Sequence, residues 1–239
     1  MADNPTFGVY IITCNRWKRG VVTAKNFTDY HHVVRQSQAK IYEENGFENV
    51  LPFEDSLINS YTKVFNYLVD NVEDDVIAIV DDDIDHFIYR TKDIEDIMDP
   101  ELVQAEFLRL AQMTYDLNIG LCSGTPNGNI HSFRSEFMWT GIPGAWKIVN
   151  RHAIKARMDP TIDRNVDIDY VMQENLLNRI ILHERYLTSK EFRDSMTNTT
   201  GSLYTKNNID ASLERMELKW GKYFRYDKGR NLPLIRIKR

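Results

Sequence analysis

The first half of the chain alternates short apolar runs with amphipathic stretches. Four runs rich in β-branched and aromatic side chains predict buried strands, at residues 7–13, 30–35, 48–53 and 76–80. Three segments between them predict helices, at residues 21–27, 37–47 and 56–72. Ser37 and Ser56 are the predicted N-caps of the two longer helices, and Gly46 is predicted to end the first of them. This order predicts an α/β fold with a mostly parallel sheet and helices on both faces.

The second half is less regular. Further strands are predicted at residues 84–90, 119–125 and 180–187. Further helices are predicted at residues 100–117, at 167–179, and at 212–226, the last of these basic and rich in aromatic residues. The remaining segments predict a loop at 125–132, a turn at 141–144 and a polar, mobile stretch at 188–210. Without an internal repeat or a long linker, the chain is predicted to form a single domain over residues 1–239.

Composition excludes several classes of protein. The sequence has no apolar run of membrane-spanning length, and its first residues lack the basic-then-apolar pattern of a signal peptide, so we expect a cytoplasmic protein without a membrane partner. Cys14 and Cys122 are expected to be reduced thiols. The net charge of −5 argues against non-specific nucleic-acid binding by the whole surface, although residues 215–239 hold nine Lys or Arg against two acids.

The most informative segment is DDVIAIVDDDIDHF, residues 74–87, in which an apolar strand ends in four acids within five positions. From Val64 to Tyr89 there are eight carboxylates and no Lys or Arg. Such an unbalanced cluster is normally offset by a divalent cation, and ligands bind at the carboxyl ends of strands in open parallel sheets. The alternative is a solvated acidic turn.

Other templates for these acids fit poorly. An EF-hand loop beginning at Asp81 requires Gly at position 86 and Glu at position 92, where the chain has His86 and Lys92. The sequence contains no P-loop, no G-x-G-x-x-G, no G-x-S-x-G and no zincin His pair. Phosphatases of the haloacid dehalogenase type place their D-x-D after the first strand of the core, whereas here three predicted strands precede it.

The segment VIAIVDDDIDHF resembles the D-x-D segment of GT-A glycosyltransferases, which hold a nucleotide sugar on a divalent metal. YIITCNRW is similar to their opening strand, YHHVVRQSQAKIYEENGFENVLPF to the second strand, helix and third strand, and GIPGAWKIVNR to the segment that lines the donor sugar. RNVDIDYVMQENLLNRIILHERY is similar to the acidic helix start that faces the acceptor. Over residues 7–190, the chain most resembles glycosyltransferases of phages and of TET/JBP-type oxygenase neighbourhoods, a group thought to glycosylate 5-hydroxymethylpyrimidines in DNA.

This resemblance implies a Rossmann-like GT-A domain with a nucleotide-binding half over residues 7–90, an acceptor half over 91–190, and a mobile loop with a basic C-terminal segment over 190–239. The implied reaction moves a sugar from a nucleoside-diphosphate sugar, UDP-linked, to 5-hydroxymethylcytosine or 5-hydroxymethyluracil in phage DNA, with Mn²⁺ or Mg²⁺ as cofactor and in the host cytoplasm. DNA is therefore an expected partner.

Roles for single residues follow from the resemblance together with their chemistry. Alternation along an extended segment points Asp81 and Asp83 the same way, which favours Asp83 as the main metal ligand, Asp81 on the ribose or the metal, and Asp82 turned into the protein. His183 is a candidate third ligand or a core histidine. The residues expected to bind the nucleotide sugar are Thr13, Asn15, Arg16, Arg35, Asp81, Asp82, Gly141, Pro143, Gly144 and Trp146.

Two further sets concern the acceptor. Asp169 is the candidate general base of an inverting reaction, or orients the acceptor in a retaining one, while Asp167 is a second candidate that could simply cap a helix. Lys219, Lys222 and Arg225 are candidates for contacts with DNA phosphates, or they belong to a solvated basic helix. Three other functions stay open: transfer to a glycan or protein hydroxyl, metal-dependent phosphate hydrolysis with Asp81 or Asp83 as nucleophile, and non-catalytic binding of a sugar nucleotide or DNA.

Overall fold

A computed structural model of the chain describes residues 4–18, 20–90, 93–125, 135–162, 164–192, 206–229 and 232–236. The predicted loop at 125–132 lies outside the described residues except for Thr125, as do residues 193–205 of the predicted mobile stretch. None of the helices in the described ranges is long and apolar enough to cross a membrane.

Eight strands of the described residues form a central sheet. In spatial order they are β3 (Val50–Phe53), β2 (His31–Arg35), β1 (Phe7–Ile12), β4 (Val76–Asp81), β9 (Trp146–Asn150), β7 (Leu121–Gly124), β10 (Leu182–Glu184) and β8 (Phe137–Met138). β1 pairs in parallel with β2 and β4, β2 with β3, and β7 with β10. β9 runs antiparallel to both β4 and β7, and β8 antiparallel to β10. The predicted mostly parallel α/β sheet is confirmed.

The helices cover both faces of this sheet. They are α1 (Gln36–Glu44), α2 (Tyr61–Asn71), α3 (Pro100–Asp116), α4 (Val166–Leu177) and α5 (Lys206–Trp220). Side chains alternate along β4, so Ile77 and Ile79 pack with α2 and α4, while Ala78 and Val80 pack with α3 on the opposite face. The helix predicted at 21–27 is a short 3₁₀ turn, Thr23–Asn26.

The helix boundaries correct two predicted caps. α2 begins after Ser60, whose side chain accepts a hydrogen bond from Lys63 N at 3.3 Å, while Ser56 donates to the Glu54 carboxylate upstream. Ser37 lies inside the first turn of α1 and donates to Asp55 instead of capping the helix. Gly46 has φ +81° just past the end of α1, as predicted.

A second, small sheet covers the acidic turn. It consists of β11 (Leu187–Glu191), β5 (Ile84–Arg90) and β6 (Ile94–Ile97). The predicted strand at 180–187 is therefore two strands, because the Glu184 carboxylate accepts hydrogen bonds from the N–H groups of Tyr186 and Leu187 and turns the chain. β10 stays in the central sheet, and β11 continues into the small one, where Phe192 N donates to Asp83 O at 2.6 Å.

The C-terminal segment packs on the core instead of forming one long helix. α5 ends at Trp220 because Gly221 adopts φ +51°, and a hairpin of β12 (Phe224–Asp227) and β13 (Leu232–Ile235) follows. Leu213, Met216 and Phe224 are buried in the same core cluster as α2 and α4. The division into a nucleotide-binding half, an acceptor half and a basic tail stays a prediction.

The buried carboxylate of Glu184 generates a prediction about stability and pH. Desolvation raises the pKa of Glu184 from 4.5 to about 7, so the folded protein holds this proton over a pH range in which the unfolded chain has lost it. The stability that Glu184 contributes is present below pH 4.5 and is lost as the pH rises through about 7. The Glu184→Gln side chain does not titrate, so the variant does not lose this stability. The free energy of unfolding of Glu184→Gln minus that of wild type should therefore increase between pH 4.5 and 7, by up to about 3 kcal/mol.

Urea denaturation at several pH values measures this difference. Glu44→Gln, at the exposed end of α1, controls for the removal of one negative charge. A Glu184→Gln difference that stays constant across the pH range would contradict a desolvated carboxylate at this position.

Candidate active site

The acidic turn lies where the carboxyl ends of parallel strands meet. Ile12 at the end of β1 pairs with Asp81 at the end of β4, so the residues after both strands reach the same edge of the sheet. Asp82 and Asp83 then connect β4 to β5. The buried Thr23 hydroxyl fixes this connection, because it donates to Asp81 O at 2.7 Å and accepts from Ile84 N at 2.8 Å.

Cations from distant parts of the sequence reach the acidic turn, although residues 64–89 contain no Lys or Arg. Arg16 Nε lies 3.5 Å from Asp82 Oδ2, and Lys25 Nζ lies 2.7 Å from Asp85 Oδ1. Lys147 acts on Asp81 through its positive charge. Close ion pairs thus engage Asp82 and Asp85, and Asp81 and Asp83 remain as the candidates for an external cation.

Burial makes the ionised carboxylates of this turn costly. Desolvation raises the pKa of Asp81 to about 7, although Lys147 opposes the shift and the charges of Asp83 and Asp82 add to it. Desolvation likewise raises the pKa of Asp82 to about 6, against the opposing charge of Arg16. A cation bound here would stabilise the ionised forms.

A cavity of about 570 Å³ joins the acidic turn to the start of α4. From the predicted set, it brings together Asp81, Pro143, Gly144 and Asp167. Residues that were not predicted also line it, among them Tyr61, Lys147, Glu191 and Pro233. Its size is that of a typical small-molecule site.

Lys147 is the most informative of the missed residues. It is 2% exposed and lies on β9, where it pairs with Ile79 and donates from Nζ to Gly144 O at 3.1 Å. Because alternate residues of neighbouring strands share a face, Lys147 and Asp81 lie on the same side of the sheet, facing α4. A lysine within the apolar run AWKIV was the available sequence signal.

A second cavity, of about 230 Å³, adjoins the first through Tyr61, which lines both. It brings together Thr13, Arg16, Arg35 and Asp82, all predicted to bind the nucleotide sugar. The Tyr42 hydroxyl organises its floor, since it lies 3.0 Å from Thr13 Oγ1 and accepts from Arg16 N at 3.0 Å. Arg35 Nη2 donates to Asn59 O at 3.2 Å.

Asn15 lines neither of these two cavities. It adopts φ +59°, and its side-chain oxygen accepts from Gln38 Nε2 at 2.6 Å. Asn15 therefore shapes the loop after β1 by tying it to α1.

The structure places Trp146 in the core and not beside a sugar. It is 0% exposed, and its ring packs against Phe107 with centroids 5.1 Å apart. The alternation that turns Lys147 toward the cavity turns Trp146 to the opposite face of the sheet. Gly141 also serves packing, because a Cβ there would lie 2.3 Å from the His183 ring.

His183 is a core histidine in this structure. Its ring nitrogens lie 2.9 Å from Thr125 Oγ1 and 3.4 Å from Ser123 Oγ, and burial lowers its pKa to about 4. Within the described ranges, no three His, Cys, Asp or Glu residues are arranged to hold a metal ion, so His183 is not brought together with Asp81 and Asp83.

The two acids of α4 face different surroundings. The helix begins at Val166 after Asn165, which has φ +62°, so Asp167 is not the N-cap; it lines the large cavity from the first turn. Asp169 is 0% exposed and accepts from Trp220 Nε1 at 2.7 Å and from Lys219 Nζ at 2.9 Å. Asp169 is therefore not placed to take a proton from a ligand, and Lys219 is engaged in an internal ion pair. Lys222 and Arg225 are exposed.

The residues present fit a divalent metal. Asp81 and Asp83 offer hard carboxylate oxygens, and burial raises the pKa of Asp81, to which the like charge of Asp83 adds. Mg²⁺ and Mn²⁺ commonly use one or two protein carboxylates and take their other ligands from substrate phosphates and water. A two-carboxylate site beside a ligand cavity matches that pattern.

Comparison with known proteins gives fold-level similarities only. No protein-family model and no curated protein matches the chain. Among solved structures, a mycobacterial protein is similar with a TM-score of 0.49 and 10% identity over 80% of this chain and 69% of that one. Glucosyl-3-phosphoglycerate synthase from Mycobacterium tuberculosis, in complex with Mn²⁺, UDP-glucose and glycerol 3-phosphate, is similar with a TM-score of 0.48 and 10% identity over 80% and 73%. S. aureus TarS residues 1–349 are similar with a TM-score of 0.45 and 13% identity, over 76% of this chain and 59% of that one. The assignment of the site rests on the geometry above.

The core position of Trp146 yields a prediction that separates packing from binding. Trp146→Ala should lower the free energy of unfolding by about 3–5 kcal/mol, because it leaves a cavity between β9 and α3. Chemical denaturation measures the loss. Trp139→Ala is the matched control, since Trp139 is 54% exposed and its loss should change stability by less than about 1 kcal/mol. Unchanged stability in Trp146→Ala would contradict the core role of Trp146 and support a role in ligand binding.

Proposed function

We propose that this protein is a metal-dependent glycosyltransferase that moves a sugar from a nucleoside-diphosphate sugar to a hydroxyl acceptor. The observation that carries the proposal is the large cavity, which holds Asp81 of the acidic turn at one side and Asp167 of α4 at another. The second cavity, with Arg16, Arg35 and Asp82, adjoins it. Two adjoining cavities, one lined by Asp81 and the other by Asp82, suit a two-part donor and an acceptor.

The donor is assigned to both cavities. The nucleoside occupies the smaller one, where Thr13 and Asp82 offer acceptors and Arg16 and Arg35 offer cationic donors. The diphosphate lies beside Asp81 and Asp83, and the sugar enters the larger cavity against Pro143 and Gly144. Asp81 and Asp83 would hold Mn²⁺ or Mg²⁺, which would supply electrostatic stabilisation to the departing diphosphate. A UDP-linked donor follows from the sequence resemblance alone.

Two protein groups act on the reacting atoms. Asp167 accepts the proton of the acceptor hydroxyl as its oxygen bonds to the anomeric carbon and the bond from that carbon to the diphosphate oxygen breaks. Lys147 contributes a fixed positive charge on the same side of the sheet as Asp81, where negative charge accumulates on the leaving group. This assignment is for an inverting reaction; in a retaining one Asp167 orients the acceptor.

The proposed acceptor is 5-hydroxymethylcytosine or 5-hydroxymethyluracil in phage DNA, as the sequence resemblance implies. Its support in the fold is the C-terminal segment, which places the exposed cations Lys222 and Arg225 on the same unit as Pro233 of the cavity wall. A deep cavity requires the modified base to leave the duplex stack before its hydroxyl can reach Asp167. A glycan or protein hydroxyl is the alternative acceptor.

A nucleotide-sugar panel tests the proposal. With Mn²⁺ and hydroxymethylated DNA, the protein should release nucleoside diphosphate and add a hexose or pentose mass to the DNA, while unmodified DNA gains none. Asp83→Asn should abolish turnover and Mn²⁺ binding, since it removes a ligand, with the fold retained. Release of phosphate from simple phosphate esters would instead identify a phosphohydrolase, and binding without turnover would identify a binding module. Full activity in EDTA contradicts the metal site.

A second prediction locates the base. Asp167→Asn keeps the size of the side chain but cannot accept a proton, so kcat should fall about 10²–10⁴-fold while donor affinity changes little. Steady-state kinetics and calorimetric titration with the nucleotide measure the two quantities. Asp116→Asn, at the exposed end of α3, is the matched control and should retain full activity. A loss of less than about tenfold moves the role to another group.

A further inference from the structure

We propose that the C-terminal segment, residues 206–229 and 232–236, is a wall of the acceptor end of the large cavity, and that Asp169 is the positioning residue that holds it there. This inference rests on the proposed function and assigns specificity for the acceptor to a segment whose charge pattern alone pointed to DNA phosphates. The direct sign of the wall is Pro233 of β13, which lines the cavity together with Asp81 and Asp167.

The segment is packed against the part of the molecule that carries Asp167. Leu213 and Met216 of α5 and Phe224 and Tyr226 of β12 are buried in one core cluster with Val166 of α4. β13 pairs with β12 along the full length of both strands, with Tyr226 opposite Pro233. The position of Pro233 in the cavity is therefore set by how α5 and β12 dock on α4.

Polar contacts from the segment converge on α4 and on the loop that precedes it. Lys219 Nζ bridges Asp159 Oδ2 and Asp169 Oδ2, each at 2.9 Å, and lies 5.9 Å from the centre of the Trp220 ring. Trp220 Nε1 donates to Asp169 Oδ1 at 2.7 Å. In the same loop, Arg164 Nη2 donates to Tyr226 Oη at 3.0 Å.

Asp169 is the centre of this attachment because both of its oxygens are engaged. Besides Lys219 and Trp220, Gln173 Nε2 donates to it at 2.7 Å, and the side chain is fully buried. Removing one partner of a buried ion pair leaves the other charge buried and uncompensated, which is strongly destabilising. Separating α5 from α4 would impose this cost on Asp169. The carboxylate thus ties α5 to α4 within the protein interior.

The attachment at Asp169 affects the cavity because Asp169 and Asp167 lie on the same turn of α4. Two residues along an α-helix are rotated by about 200°, so Asp167 and Asp169 point in nearly opposite directions. Asp167 faces the cavity, and Asp169 faces the C-terminal segment. The same turn of α4 therefore carries the proposed base and the attachment of the wall, and the part of the acceptor that does not react is expected to pack against that wall.

The decisive variant is Trp220→Phe, which removes the indole N–H donor without changing charge. Hydrogen–deuterium exchange of the protein alone should increase in β12 and β13 and also at residues 142–145 and 166–168, because these share the cavity with Pro233. Lys228→Met, an exposed cation between the hairpin strands, is the matched control and should exchange like wild type. If exchange is unchanged in every segment, the claim that Trp220 and Asp169 attach α5 to α4 is wrong. If the increase is confined to β12 and β13, the claim that the C-terminal segment forms a wall of the cavity is wrong.

Kinetics on a hydroxymethylcytosine duplex supply the second arm. In Trp220→Phe and in Asp169→Asn, the KM for the duplex should rise by about tenfold, while kcat and hydrolysis of the donor without acceptor stay near wild type. A fall in kcat of about 10²–10⁴-fold in Asp169→Asn at unchanged KM would instead make Asp169 the base and overturn the proposal. If wild type transfers no sugar, the proposed function fails, and the exchange measurements decide the attachment and the wall independently.

Discussion

The structure depends on the parallel pairing of β4 with β1, which carries an apolar strand through the core and releases it as three consecutive aspartates. The pairing of Ile12 with Asp81 fixes the depth at which these acids emerge, and the Thr23 hydroxyl fixes the connection to β5. Everything that faces the acids is placed relative to that edge, including Lys147 on β9 and the start of α4. The cost of burying their charge is what makes the edge receptive to a cation.

Local features of the fold could be predicted from the sequence because they depend on local chemistry. Apolar runs gave the strands of the parallel half, and Gly46 gave the end of α1. Failures occurred where two local signals competed: both Ser56 and Ser60 are good N-caps before the same amphipathic stretch, and the helix begins after Ser60. The break between β10 and β11 depends on the buried Glu184 carboxylate, whose effect is invisible without its partners.

The candidate site shows the same division. Thr13, Arg16, Arg35 and Asp82 line one cavity because each follows or ends a strand at one edge of the sheet. Trp146 and Asp169 were misjudged because their neighbours in sequence do not reveal which way they face: β9 is antiparallel, and α4 is covered on one side by α5. Lys147 was not predicted, because its proximity to Asp81 depends on the pairing of β9 with β4.

The reversed direction of β9 has a consequence for how such a protein can change over evolution. β9 enters the sheet at the edge where β4 ends in the acids. The cavity is therefore lined by residues 142–145, which precede β9, and not by the residues that follow β9. That approach segment joins β9 to the peripheral strand β8, whereas the acids emerge from β4, which is held in register by β1 on its other side. Insertions and deletions before β9 can therefore remodel the cavity while the acidic turn keeps its place, so the cavity wall can diverge separately from the acids.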